Sequence, residues 1–345
     1  MEPLTSTLSR FLRTTWLLSA VKRLDLLDQS ASIRRICADE SRALADEARR
    51  RNVFARHSWE NSFYLKRIGQ LEEATVIEVL RPGELDAVLP TARAVAASVE
   101  KVAFISSTLG LKRERTHQLV AISRHRRYGF DLAISPGFRY LRSSERQEAA
   151  PRGVPVDDSF VRRFNRCGFP SLVAAAASGT DIGRRLEQSV NWLFESRQET
   201  SVQAAVVKTA IAFESLLIAS DKETLRGPLA ERTAFLLADD AARRRRIAKG
   251  VRAFYDLRSS IVHGGRRRMP PSPAAVLEGI DRVLVLLMLT VAANAVAWTS
   301  IDVIVDAVED RKWGAVSKNA VRPFPESHLS RALRLLETTA SPSAA

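Results

Sequence analysis

Apolar residues recur at helical spacing in two stretches of the chain, and a region between them carries short runs of strand-forming residues. Leu8, Phe11, Leu12 and Leu18 open the first stretch, and Ala38 to Arg51 continues it with strong helix formers. Residues 1–73 therefore read as a helical N-terminal region, with Arg49-Arg50-Arg51 as a solvated face. From Ala74 to about Arg142 the pattern changes to β-type runs at Thr75 to Leu80, Val102 to Ser106, Leu119 to Ser123 and Phe130 to Ser135. Pro136-Gly137 and then Phe138 to Leu141 follow the last run, which predicts a hairpin. Residues 74–155 read as an α+β domain, and the polar stretch Arg142 to Pro155 reads as a linker or long loop.

Helical periodicity resumes after the polar stretch. The spacing predicts helices over Asp181 to Ser196, Ser201 to Ser220, Pro228 to Ala238, Ala241 to His263 and Pro273 to Trp298. Pro228 and Pro273 suit a first helical turn, Ser272 can cap the latter helix, and Gly264-Gly265 can end the one before it. Helices joined by short connections make a bundle, placed at residues 181–310. Residues 311–345 add a C-terminal helix and a frayed tail from Thr338. The fold class is mainly α, with an α+β N-terminal part.

With 345 residues, 46% of them apolar, the chain can bury a substantial core. The formal charge of +14 favours a polyanionic partner, and nucleic acid over an acidic membrane. Cys37 and Cys167 are far apart and match neither a disulfide framework nor a zinc spacing, so a reducing cytoplasm is expected. Arg10, Arg13, Lys22 and Arg23 interrupt the apolar residues near the N-terminus, which argues against a signal peptide or a spanning helix. Val283 to Trp298 is too short to cross a bilayer and follows Glu278, Asp281 and Arg282, so it reads as a buried core helix.

The candidate chemistry lies at the end of the Ala241 to His263 helix. Its core stripe is Ile247, Val251, Phe254 and Ile261, and Arg258 falls inside that stripe. A cation on an apolar face needs a partner, and Glu214 is the lone acid in the apolar run Ala210 to Ile218. His263 follows another line, with Arg252, Asp256 and Ser259 before it. Positions five apart on a helix differ by about 140° in direction, so Arg258 and His263 do not stack. Either the last turn unwinds at Gly264, or a second copy of the helix completes the site. Ser259 can hydrogen-bond the imidazole and fix its orientation. An always-charged guanidinium and a side chain that titrates near neutrality suffice to stabilise a phosphoryl transition state and move a proton without a metal or cofactor.

Three segments in order carry a family resemblance: Ala212 to Leu217, Leu229 to Leu237, and Phe254-Tyr255-Asp256-Leu257-Arg258-Ser259-Ser260-Ile261-Val262-His263-Gly264. Together they resemble a HEPN domain of the Apea-like type over about residues 183–300. Residues 1–180 resemble no family and are assigned to sensing or recognition of an activator. The resemblance implies an antiparallel helical bundle that forms a homodimer, bringing two copies of the arginine-to-histidine motif to one cleft. It further implies a metal-independent endoribonuclease of defence or toxin systems, acting on RNA. Arg258 and His263 would be the catalytic pair, supported by Ser259, Glu214, Asp256 and Tyr255. Arg266, Arg267, Arg268 and Arg252 are candidates to grip the RNA backbone. Some HEPN toxins carry a tyrosine shortly after the histidine as a site of nucleotide attachment. Here Gly264-Gly265-Arg266 follows instead. The alternative is a non-catalytic HEPN module that binds nucleic acid or protein. His57 with Glu60, and His117 with His125, are too sparse to make a site.

Overall fold

The computed structural model describes residues 8–14, 18–19, 23–26, 30–50, 75–109, 127–134, 141–148, 155–220, 223–263, 272–314 and 320–338. They are mostly helical, with an antiparallel sheet in the N-terminal part. Two compact units divide them, one within Met1–Glu100 and Ile122–Arg163, the other within Lys101–Ala121 and Phe164–Ala345.

The first unit contains strands β1 (Leu8–Thr14), β2 (Leu18–Ser19), β3 (Arg23–Leu26) and β4 (Ala31–Arg35), then helix α1 (Ala38–Arg50). Next come β5 (Thr75–Pro82), the start of helix α2 (Leu85–Ser106), and strands β6 (Arg127–Ile134), β7 (Leu141–Glu148) and β8 (Pro155–Val156). Six strands form one sheet in the order β3-β4-β5-β1-β6-β7, every neighbour antiparallel, while β2 pairs with β8 in parallel. Ile33, Val76, Ile77 and Val79 are fully buried, so β5 is covered on both faces. Arg34 ties this layer together: its Nε donates to Glu78 of β5 at 2.7 Å and its Nη1 to Glu40 of α1 at 2.6 Å.

Several sequence expectations change here. The helical reading of residues 1–73 holds for α1 but fails at β1 to β4. Leu8, Phe11 and Leu12 fit a helical period, yet β1 lies between β5 and β6, with Leu12 in register with both Glu78 and Leu132. Long-range pairing overrides a local pattern there. Val102 to Ser106, expected as a strand, is the end of the 22-residue helix α2, where Val102 to Ser106 are all buried and no polar face marks the period. The expected linker from Arg142 contains β7, an edge strand bonded on one side by β6. Its polar sequence LRSSERQE suits an edge, where an apolar strand would invite further pairing. The hairpin pairing is present, β6 antiparallel to β7 with Ile134 opposite Leu141, while residues 135–140 lie outside the described residues. Leu119 to Ser123, Gly264-Gly265, His57 with Glu60, His117 with His125, Arg51 and residues 339–345 lie outside the described residues.

Helix α3 (Asp158–Arg166), which the sequence reading did not assign, is preceded by Asp157, whose Oδ1 accepts from the Phe160 amide at 2.7 Å. The second unit continues with α4 (Phe169–Ala176), α5 (Asp181–Gln198), α6 (Val202–Leu217), α7 (Arg226–Leu237), α8 (Ala241–Val262), α9 (Pro273–Ala293), α10 (Ile301–Lys312) and α11 (Glu326–Thr338). Ser189 Oγ donates to Ala212 O at 2.7 Å and Ser196 Oγ to Ala205 O at 2.9 Å, so α5 and α6 run antiparallel. The Arg226–Asp256 ion pair and the Arg244 guanidinium over the Phe235 ring likewise make α7 and α8 antiparallel. Helix α9 is central: every residue from Val276 to Ala292 is buried. Ser272 precedes it without a side-chain cap; its carbonyl accepts from the Ala275 and Val276 amides instead. Helix α11 packs close, because a Cβ at Gly250 or Gly279 would come within 2.6 or 2.8 Å of Leu336. Among the described residues no helix is long and apolar enough to cross a membrane.

The buried α9 carries charge. Asp281 and Arg197 of α5 are both 0% exposed, with Nη1 donating to Oδ2 at 3.0 Å. Thr209 Oγ1 donates to Asp281 Oδ1 at 3.2 Å and lies 2.7 Å from Ser196 Oγ. Removing one member of such a pair leaves an uncompensated charge in the core. Asp281→Ala should lower the stability of the helical unit by about 3–5 kcal/mol, whereas Arg197→Met combined with Asp281→Leu should recover most of the loss. Urea unfolding followed by circular dichroism measures both, and a loss under about 1 kcal/mol for Asp281→Ala would refute the assignment.

Candidate functional site

Helix α8 presents its apolar stripe as the spacing requires, with Ile247, Val251 and Phe254 at 0% exposure. Tyr255 and Leu257 broaden the buried face, whereas Ile261 is only partly buried. Arg258 thus stands where the stripe emerges from the core. The Tyr255 hydroxyl donates to Ala210 O at 3.2 Å, the Phe213 and Phe254 rings lie 6.2 Å apart, and Arg258 faces Glu214.

The expected pairing of Arg258 with Glu214 is present. Arg258 Nη2 lies 3.8 Å from Glu214 Oε1, with side chains 23% and 21% exposed. That is ion-pair distance, but too long for a hydrogen bond. Arg258 Nε and Glu214 Oε1 are both shielded from solvent without a hydrogen-bond partner. Burial pushes the Glu214 carboxyl above the ordinary carboxylate range; the positive charge of Arg258 and, less so, the Tyr255 hydroxyl work against that rise. Burial, followed by the charge of Glu214, raises the Tyr255 phenol well above its usual value and keeps it neutral.

His263 is exposed at the C-cap of α8. Its amide donates to Ser259 O at 3.0 Å, so the helical turn continues to His263 and does not unwind before it. The azimuth of about 140° between Arg258 and His263 therefore stands. Ser259 is exposed, and no hydrogen bond joins its hydroxyl to the imidazole. The helix directs Ser259 outward, so the expected orienting contact is absent within this chain. Asp256 instead links α8 to α7, accepting from Arg226 Nη2 at 2.9 Å. Arg252 is exposed, while Arg266, Arg267 and Arg268 lie outside the described residues.

Two arginines without an assigned role in the sequence reading hold Glu214's end of α6. Arg185 Nη1 donates to Ser215 O at 3.3 Å and to Ile218 O at 2.9 Å. Arg232 Nη1 donates to Leu217 O at 2.6 Å and to Glu223 Oε2 at 2.9 Å. They satisfy carbonyls that a helix C-terminus leaves open. The available signal was Arg232's place among Leu229, Ala230 and Thr233, the same kind of apolar interruption that marks Arg258. The polybasic start of α8 binds the protein itself: Arg243 pairs with Glu326 at 2.9 Å, Arg244 donates to Ala238 O at 3.0 Å, Arg245 to Ala241 O at 3.3 Å, and Arg246 to Glu337 at 2.8 Å. Among the described residues no group of His, Cys, Asp and Glu is arranged to hold a metal ion. Compared with protein-family models, curated proteins and solved structures, the chain matches none.

The raised Glu214 carboxyl has a stability consequence of definite sign. The folded chain binds this proton more tightly than the unfolded chain does. Wild type should therefore be stabilised relative to Glu214→Gln below the ordinary glutamate value of about 4.3, and lose that advantage as pH rises through the raised value. Urea unfolding across that window measures the difference, and a difference that does not change with pH would count against the shift.

Proposed function

We propose that the helical unit is a HEPN-type, metal-independent endoribonuclease that works as a homodimer. The carrying observation is the end of α8: a partly buried arginine with an unused Nε lies five residues before an exposed histidine at the helix C-cap. In the reaction, the 2′-oxygen of RNA attacks the adjacent phosphorus. The P–O5′ bond breaks, leaving a cyclic phosphate and a 5′-hydroxyl. His263 takes the 2′-hydroxyl proton or supplies one to the leaving 5′-oxygen, and Arg258 stabilises charge on the phosphoryl oxygens. The two residues differ by about 140° around a continuous helix, so one chain supplies half of a site and a second copy completes it. The resemblance suggests a defence or toxin setting, with residues 1–180 sensing an activator. One observation favours the non-catalytic alternative: Arg258 already has an opposite charge beside it in Glu214.

Purified protein incubated with total RNA in EDTA separates these readings. Wild type should nick RNA. His263→Ala should slow cleavage by about 10²–10⁴-fold and Arg258→Ala by about 10²–10³-fold, with folding unchanged by circular dichroism. Equal nicking by wild type and both variants would remove the site assignment.

A further inference from the structure

Opposite charges that meet in a partly buried place normally satisfy each other's hydrogen bonds, yet Arg258 and Glu214 do not. They stand 3.8 Å apart, with Nε of the arginine and Oε1 of the glutamate shielded and unbonded. Each keeps a valence that a third group can use. A phosphodiester offers one negative charge over two non-bridging oxygens, which suits the guanidinium fork. A phosphate added beside an ionised Glu214 would set two anions against one cation in a poorly hydrated place. The charges balance when Glu214 becomes a neutral acid, which then has an O–H to donate.

We propose that Arg258 exchanges Glu214 for a phosphodiester oxygen, and that Glu214 takes up one proton as it gives up the pair, so RNA binding at this site is proton-linked. Glu214 thus occupies the phosphate's place in the unliganded protein. The inference rests on the reading above in taking Arg258 as the phosphate-binding group, although it does not require cleavage.

The surrounding charges fit this exchange. From α8, Glu214 is faced by Arg258 and Tyr255. From α5 and α7, Arg185 and Arg232 approach the nearby end of α6, but their donors serve Ser215 O, Ile218 O and Leu217 O, and Arg232 also binds Glu223. From α9, Asp281 meets α6 at Thr209. Arg258 is the chief cation holding the Glu214 proton off, so engaging that cation with phosphate favours protonation. His263 stands on the same helix end, and a His263→Ala variant takes it out of the comparison.

The probe is a 2′-O-methyl RNA oligonucleotide, which cannot be cut, bound between about pH 5 and pH 8. Wild-type affinity should fall with rising pH, by up to about tenfold per pH unit where Glu214 ionises. Glu214→Gln should bind more tightly than wild type at neutral pH and lose its share of that slope, whereas His263→Ala should retain it. Should Glu214→Gln fail to fold, calorimetry of His263→Ala in buffers of different ionisation heat still gives a readout. Uptake approaching one proton per site supports the exchange. Equal slopes for wild type and Glu214→Gln, no proton uptake, or no binding of the probe would overturn it. Binding with the Glu214 linkage but no cleavage of ordinary RNA would reject only the nuclease, and cleavage without the linkage would reject only the exchange.

Discussion

A charge pair with no access to water, Arg197 with Asp281, governs how the helical unit packs. Helix α9 is buried along its whole middle, so hydrophobic burial alone does not distinguish one rotation about its axis from another. Asp281 does. Its oxygens must meet Arg197 of α5 and Thr209 of α6, and a rotation of α9 would strand the carboxylate in the core. Well-packed apolar residues can equal a buried pair in stability, so its distinctive contribution is to fix one arrangement among several of similar burial.

Helix α6 carries that arrangement to the candidate site. Thr209 meets Asp281, and from Ala210 to Glu214 the helix turns to meet Tyr255, Phe254 and Arg258 of α8. Arg185 and Arg232 then secure its last carbonyls from two different helices. The Glu214 backbone is therefore fixed at both ends, while its carboxylate is left short of a hydrogen bond. A rigid frame around an under-satisfied charge is what a binding site needs, because a ligand can complete the group without reorganising the helices.

The helices of this unit were legible where the signal is local. Asp181, Ser201 and Ala241 mark starts that agree closely with α5, α6 and α8, and the misplaced cation at Arg258 led to the lone acid at Glu214. Other long-range contacts were not legible. The β1 residues carry a helical period and became strand only through pairing with β5 and β6, while the end of α2 is buried all round and hides its own period. Pairing of Arg246 with Glu337, 91 positions away, has no signature in either segment. The imidazole contact expected of Ser259 failed for a different reason: helical spacing places residues on a line, but the direction of each side chain decides whether two of them meet.

The formal charge of +14 treats every carbonyl as neutral, and this protein does not use its arginines that way. Arg185 and Arg232 bind the carbonyls ending α6, and Arg244, Arg311 and Arg322 bind Ala238, Phe235 and Leu236 at the end of α7. A helix C-terminus acts as roughly half a negative charge, so these guanidiniums meet partial charges that no residue count includes. Part of the excess of cations over acids is thereby structural, and net charge alone is a weak argument for a polyanionic partner. The informative measure is which cation retains unused donors in a place where charge is costly. Arg258 meets it at the candidate site, with a shielded Nε that neither Glu214 nor a helix end satisfies; Arg81, Arg163 and Arg185 also carry a shielded Nε without a hydrogen bond, but they do not lie on the helix that ends at His263. The case for phosphate recognition therefore rests on one incompletely paired guanidinium, and not on the number of arginines around it.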